Sequence, residues 1–371
     1  MNRFLTVLFL FFSLSSCENK SQTENNNKIL GDWHLIKIDA VGTEDYDYMP
    51  GLSFYKNLSF DNRSGYFKDD TNKEKTQLFI GTKSAYKLVN DSLNLLNPAI
   101  NKWSKYKITK LDQDTLNLKS KKVSLSYSRI SPNTVTAPQF DEIIVSTSGC
   151  FGWCPRSNTV IRSDGTVIFQ GLMYTRNKGL YMAKIPTVMY QKLQDNFRRA
   201  NFKTLKNNYT ASISISDQET ICTTFIKEGE IYKSVSEYAH TAPELFRWAY
   251  LPVEYLYQEV HLKEISDLKS IPSFSCICDA NFCKGNMVCD LKQSETFLLL
   301  NYLRNGKISI TRFNPVYKMH TFYDDINRLP DIETDGRFYR FTTNGKPVTI
   351  GFNFYDVNLK NWVWQKSNEY D

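Results

Sequence analysis

Between Leu52 and Ile130 the chain is built from short runs in which apolar and polar residues alternate: Leu52 to Phe60, Gly65 to Lys68, Leu78 to Gly81, Ser84 to Val89, Ser92 to Leu96, Trp103 to Leu111, Thr115 to Leu118 and Val123 to Ile130. A period of two puts successive side chains on opposite faces of a strand, and the Asn, Asp, Gly and Ser residues between the runs supply tight turns. Such a segment reads as an antiparallel meander or a small up-and-down barrel. The rest of the chain leans the same way, since aromatic residues make up 14%, chiefly 22 Tyr and 24 Phe, and these favour strands. Hydrophobic content of 41% and charged content of 23% are ordinary for a globular core, and 371 residues suffice for two to three domains. The fold class expected is β-rich α+β.

The N-terminus carries an address. Arg3 is followed by an apolar run from Phe4 to Phe12 and then by Leu14-Ser15-Ser16-Cys17. The apolar run is too short to span a bilayer. This layout resembles a bacterial lipoprotein signal over residues 1–16. The resemblance implies cleavage before Cys17, lipidation of Cys17 with palmitate among its acyl chains, and membrane attachment through that lipid, lasting because several chains share one cysteine. Residues 17–27 are rich in Asn, Ser, Gln, Lys and Glu and read as a tether too polar to fold. No later stretch is long and apolar enough to cross a membrane, so the expected place is the cell envelope, and with Glu18 after Cys17 the outer membrane is the default. The formal charge of +7, one unit of it in Arg3, is spread without a dense basic block. Nucleic acid is therefore not an expected partner.

The next segment, 28–132, opens with Ile29-Leu30-Gly31-Asp32-Trp33. A Gly-x-Trp entry followed by about eight strands resembles the lipocalin-like domains of bacterial envelope lipoproteins. That resemblance implies that Gly31 lets the first strand bend, that Trp33 closes one end of a barrel, and that the barrel offers a concave pocket to a small hydrophobic ligand.

Residues 140–260 read differently. A strand at Asp141 to Ser146 leads into Ser148-Gly149-Cys150-Phe151-Gly152-Trp153-Cys154-Pro155, and Thr159 to Arg162 and Thr166 to Gln170 flank Asp164-Gly165, a hairpin signal of type I′. Pro186 opens an amphipathic helix through Phe197 on which Val188, Leu193 and Phe197 can share a face. A second hairpin turns at Glu228-Gly229, and a closing helix starts near Ala242-Pro243-Glu244 and carries Leu245, Trp248, Leu256 and Tyr257. The matches Cys150, Phe151, Gly152, Cys154, Pro155, Asp164-Gly165 and Ala242-Pro243-Glu244 resemble a family of uncharacterised domains in secreted bacterial proteins. Arg156-Ser157-Asn158 stands where that family usually has an aromatic. The resemblance implies an architecture and no chemistry.

Residues 261–371 hold Cys276, Cys278, Cys283 and Cys289, then an apolar stretch from Glu295 to Leu303 suited to a helix, then strands with a hairpin turn at Asn344-Gly345. A small α+β unit is expected, either standing alone or packed against the preceding segment.

Cysteines are the only clustered reactive residues. In an exporting compartment disulfides form and persist. Cys150 and Cys154 sit in a loop bent by Gly149 and Gly152, so a structural bridge is expected; catalytic exchange calls for Cys-x-x-Cys at a helix N-terminus. The Cys276, Cys278, Cys283 and Cys289 set could form two bridges or a four-thiolate metal site. Its Cys-x-Cys spacing and the compartment favour bridges. Cys222, inside the strand run Ile221 to Phe225, is the leftover thiol. His34, His240, His261 and His320 are scattered, and no His-x3-His pair, Gly-x-Ser-x-Gly elbow or glycine-rich phosphate loop is present. The acidic pairs Glu44-Asp45, Asp69-Asp70 and Asp324-Asp325 read as solvated loop charges. No metal or other cofactor is implied. Surplus aromatics could also form a sugar-stacking platform. The function favoured is a non-enzymatic binding or structural role in the envelope; the alternative is an envelope enzyme with thiol-dependent or hydrolytic activity near the Cys150 loop.

Overall fold

The computed structural model of the chain describes residues 25–40, 49–71, 76–130, 137–210, 215–265, 277–322, 329–341, 346–360 and 362–367, with 26 and 278 excepted. The signal segment, Cys17, Cys276, Cys278 and the Asn344-Gly345 turn lie outside the described residues. The chain divides into two compact units, one reaching residue 133 and one over 134–371 that also takes in 71–76.

The alternating runs of the first unit become β1 (Gly31–Ala40), β2 (Gly51–Phe54), β3 (Ser59–Asp69), β4 (Gln77–Val89), β5 (Ser92–Asn97), β6 (Lys102–Leu111), β7 (Thr115–Lys119) and β8 (Val123–Arg129). Each pairs antiparallel with the next, and β8 returns to β1, closing a barrel. Closure removes the exposed strand edges that an open meander would leave. One set of alternating side chains fills the interior: Leu93 and Leu95, Leu116 and Leu118, and Val123, Leu125 and Tyr127 are all buried.

One end of the barrel is closed by a single residue cluster. Trp33 is completely buried and donates its indole N–H to the carbonyl of Ile29 at 2.7 Å. Arg129, its partner in the β1–β8 register, stacks its guanidinium 4.1 Å above the indole ring. The same guanidinium donates to the carbonyls of Lys28, Leu30 and Gln113. Gly31 makes room for this: its φ is +111°, and a Cβ there would stand 2.8 Å from Arg129 Nη1.

The second unit has two sheets. The first is built from β9 (Glu142–Ser148), β10 (Arg156–Arg162), β11 (Thr166–Met173), β12 (Gly179–Lys184), β13 (Asn208–Tyr209), β14 (Thr220–Lys227), β15 (Glu230–Tyr238) and β16 (Lys263–Glu264), in the order β13-β15-β14-β9-β10-β11-β12-β16. The second is built from β17 (Asp279–Lys284), β18 (Met287–Asp290), β19 (Lys307–Ile308), β20 (Tyr317–Phe322), β21 (Ile332–Thr334), β22 (Phe338–Phe341), β23 (Pro347–Thr349) and β24 (Gln365–Lys366), in the order β19-β23-β22-β21-β20-β17-β18-β24. Helices α1 (Thr187–Arg199) and α2 (Glu244–Glu254) bury Leu193, Phe197, Phe246 and Val253 against Ile143, Val145 and Phe225 on one face of the first sheet. Helix α3 (Gln293–Arg304) lies on the other face, and its Leu298, Leu299 and Leu303 share one core with Ile144, Val160 and Ile168 of the first sheet and Phe282, Met319 and Ile332 of the second. The segments 140–260 and 261–371 are thus joined by a common core.

Three local details differ from the sequence expectation. The Asp164-Gly165 hairpin is a three-residue loop, with Gly165 N–H donating to Arg162 O at 2.8 Å and only Gly165 at positive φ, a type I turn closed by a left-handed glycine. The type I′ geometry occurs instead at Glu228-Gly229, with φ of 56° and 81°. On α1, Val188 is 74% exposed, and the buried face is formed by Tyr190, Leu193, Gln194 and Phe197. Gln194 is inside because its Oε1 accepts the backbone N–H of Phe140 at 2.5 Å.

Replacing Trp33 by Ala removes the barrel's largest buried side chain from under Arg129. The expected cost is about 3–5 kcal/mol, read as an earlier denaturant transition of the first unit; an unchanged midpoint would refute this account of the closed end.

Candidate functional site

The loop between β9 and β10 is the most distinctive surface of the second unit. Arg156 pairs with Ser148 across the two strands, so residues 149–155 form a closed excursion from the sheet edge. Cys150 and Cys154 are joined by a disulfide across a Cα–Cα distance of 5.5 Å. Gly149 has a φ of +82°, the left-handed turn that starts the excursion. The base is pinned by Thr147 Oγ1, which donates to Pro155 O at 2.7 Å, and by Ser148 Oγ, which accepts from Thr220 N at 2.9 Å. Phe151 N–H donates to Asp217 O at 3.2 Å. Between the two half-cystines stand Phe151, 88% exposed, and Trp153, 53% exposed, the latter in edge contact with Tyr174 at 5.1 Å.

The Arg156-Ser157-Asn158 departure has a physical basis. Asn158 donates to Gln170 Oε1 at 2.7 Å, and Gln293 of α3 donates to Thr147 O at 3.0 Å and to Asn158 Oδ1 at 3.3 Å. Arg156 forms an ion pair with Asp279 of β17 at 3.1 Å. Polar residues replace an aromatic where polar partners from the C-terminal segment come to meet them.

The same unit also assembles a cluster of acids and rings. Glu219 precedes β14, Glu237 faces inward from β15 and Glu254 ends α2. Glu237 accepts from Ala242 N at 2.7 Å and from the Tyr250 hydroxyl. His240 Nε2 lies 3.4 Å from Glu219 Oε1, and His240 Nδ1 lies 3.5 Å from the Tyr250 hydroxyl. Burial, reinforced by the charge of Glu237, pushes the Glu219 carboxyl up to about 7, while burial pulls His240 down. The Glu254 carboxyl is raised well above its ordinary range by burial and by Glu219. Among the described residues no group of His, Cys, Asp and Glu is arranged to hold a metal ion. In the sequence His240 stands apart from the other histidines, and nothing near it points to Glu219 or Glu254. The available signal was Glu237, which falls on the same inward face as Val235 in an alternating strand.

The C-terminal cysteines separate. Cys289 pairs with Phe282 in the β17–β18 register and Cys283 with Val288, so Cys283 and Cys289 lie on opposite faces of the hairpin and cannot bridge each other. Cys289 is a buried free thiol, which removes it from the expected bridges; burial pushes its thiol up to about 11. Cys283 Sγ sits 3.2 Å from both Asn281 Oδ1 and His320 Nδ1, and His320 Nε2 is 3.8 Å from Asp331 Oδ1. The row resembles a nucleophilic triad in composition only: Cys283 is covered, and the outer contact exceeds hydrogen-bond reach. Cys222 is buried in β14 with burial raising its thiol, as suits an inert core cysteine. His34 is half-buried in β1, His261 is exposed, and Asp70 is buried beside exposed Asp69. Glu44, Asp45, Asp324 and Asp325 lie outside the described residues.

In the first unit, a hollow lined by Met49, Tyr66, Leu95 and Ala99 among others amounts to about 150 Å³. Small-molecule sites usually enclose about 300–1,000 Å³. Among the described residues the barrel core is led by the buried side chains of Trp33, Tyr86 and Tyr127.

Residues 141–257 match the family model described as Domain of unknown function (DUF6438). A solved structure of an uncharacterised protein from Bacteroides eggerthii DSM 20697 aligns at 12% identity over 28% of this chain and 99% of its own, with a TM-score of 0.20. No curated protein matches the chain. The central segment therefore carries a domain of unknown function whose Cys-Phe-Gly-x-Cys-Pro stretch is the disulfide-closed loop.

Two outcomes follow from this geometry. Replacing Cys150 and Cys154 together by Ser frees a five-residue loop and is expected to cost about 2 kcal/mol in chain entropy; a double variant as stable as the parent in urea would show that the bridge is not a staple. For Glu219, a folded-state value near 7 against an ordinary value of 4.5 means that the folded state holds the proton more tightly. Its contribution is fully present below about pH 4.5 and is lost as pH rises towards 7. Urea titrations across that window are expected to show stability of the second unit falling with pH, less steeply in Glu219→Gln; an identical slope in the variant would contradict the assignment.

Proposed function

We propose that the chain is a lipid-anchored protein of the bacterial cell envelope that acts by binding rather than by catalysis, with Cys17 as the lipidated residue and the Cys150–Cys154 loop as the recognition surface. The observation that carries the binding role is Phe151 at 88% exposure beside Trp153 at 53%, held on a loop closed by a disulfide. An exposed aromatic normally sacrifices the stabilisation its burial would give. Two of them on one pre-ordered loop lower the entropic cost of capturing a ligand. The ligand class that fits is a sugar of the envelope, whose apolar ring face stacks on an aromatic face. The lipocalin-like barrel serves as the module next to the anchor. A free-thiolate nucleophile in the loop is disfavoured because the bridge consumes both sulfurs.

Phe151→Ala and Trp153→Ala are expected to leave stability within about 0.5 kcal/mol, as for exposed positions generally, while retention on insoluble envelope polysaccharide falls at least tenfold. Retention equal to that of the parent would exclude the loop as the recognition surface. For the anchor, Cys17→Ser is expected to abolish incorporation of a palmitate analogue and to move the protein from the membrane to the soluble fraction; a labelled, membrane-bound variant would sink the assignment.

A further inference from the structure

We infer that the outer face of the barrel around β6 is a docking surface for anionic membrane lipid, acting as a second membrane contact; this rests on the lipid-anchored reading given above. Alternation leaves Trp103, Lys105 and Lys107 of β6 outside, since Tyr106 points into the core. The register then lines up two outward rows. One runs Lys87, Asn94, Lys105 across β4, β5 and β6, and the other runs Val89, Ser92, Lys107, Lys119 across β4 to β7.

Lys107 and Lys119 are direct cross-strand partners. Like charges placed opposite each other destabilise a sheet, and among the described residues no carboxylate pairs with Lys105, Lys107 or Lys119. Lys102, Lys121 and Lys122 continue the same open concavity of about 1300 Å³, in which Asp91 is the one carboxylate among the described lining residues. Among the described residues, Lys105, Lys107 and Lys119 give this face a cationic row without a carboxylate partner.

A lipid surface fits better than a soluble anion because apolar groups stand among the lysines. Ile100 is 64% exposed, Val89 53% and Trp103 38%. Lys87 Nζ sits 4.3 Å over the Trp103 ring. Tryptophan among basic residues is the composition of a membrane–water interface, where the ring lies at headgroup level and lysines meet phosphates. A basic face near the bilayer adds electrostatic attraction to the hold of the lipid anchor. Proximity is assured for this unit, since the chain from Cys17 to Gly31 spans at most about 50 Å even when fully extended.

The test uses the full chain carrying Cys17→Ser, so that binding is read without the lipid and a failure of lipidation cannot be mistaken for a failure of this surface. Sedimentation with vesicles of phosphatidylglycerol and phosphatidylcholine is compared with phosphatidylcholine alone, at low and high salt. Binding that requires phosphatidylglycerol and fades with salt is expected, weakened on the order of a hundredfold by Lys105→Ala, Lys107→Ala and Lys119→Ala together, each lysine near the surface being worth about fivefold. Trp103→Ala is expected to weaken it further with little change in salt dependence, and circular dichroism of each variant confirms an intact fold. Absence of phosphatidylglycerol-dependent binding in the parent, equal binding by the folded triple variant, or binding to soluble inorganic phosphate or an oligonucleotide in place of vesicles would each overturn the inference.

Discussion

The second unit depends on a helix that has no exposed face. Gln293, Ser294, Glu295, Phe297, Leu299, Asn301 and Leu303 of α3 are all buried, polar and apolar residues alike. A helix buried all round must satisfy its polar groups inside the protein, since an unpaired buried group costs about 1–3 kcal/mol. Its first turn does so in part by reaching into the first sheet, although Glu295 Oε1 and Thr296 Oγ1 stay buried without a hydrogen-bond partner. Ser294 bonds Thr224 at 2.8 Å, Gln293 reaches Thr147, and Lys292 Nζ donates to Ser234 O at 2.9 Å and Asn207 O at 2.7 Å. The Glu295 side chain accepts from Lys292 N at 2.7 Å, which satisfies the N-cap backbone N–H at the start of the helix. These bonds fix how the helix lies, and its leucines then hold the two sheets around one core.

That arrangement supports the proposed recognition surface. Strands β9 and β10 are buried on both faces, which is why six consecutive residues of each are covered. Two fully supported strands make a rigid base, and the disulfide carries this rigidity outward to Phe151 and Trp153. The recognition role proposed for this loop rests on a packed scaffold. The buried acids Glu219, Glu237 and Glu254 belong to the same domain, where burial keeps Glu219 and Glu254 inclined to hold their protons.

Features whose cause is local could be read from the sequence. The period-two runs gave the barrel strands, Gly31 and Trp33 marked its closed end, and the spacing of Cys150 and Cys154 with their glycines marked the bridge. Features whose cause lies far along the chain could not. Gln293, Ser294, Asn158 and Gln170 look like surface residues until the C-terminal segment brings them together, and the inward Gln194 is explained only by the Phe140 N–H it accepts. The acid cluster gathers from the residue before β14, from β15 and from the end of α2. Val188 followed helical periodicity yet faces solvent, because α1 is docked by its Tyr190, Leu193 and Phe197 face.

The measurement closest to the central claim uses two buried thiols as reporters. Cys222 lies in the first sheet of the second unit and Cys289 in the second, exposed 4% and 1% respectively. Thiol labelling read by mass spectrometry at increasing urea should open both at the same denaturant concentration, and Leu299→Ala should shift both together, if α3 makes one cooperative core. Labelling of Cys289 at clearly lower urea while Cys222 stays protected would mean that the two sheets fold independently and that α3 does not unite them.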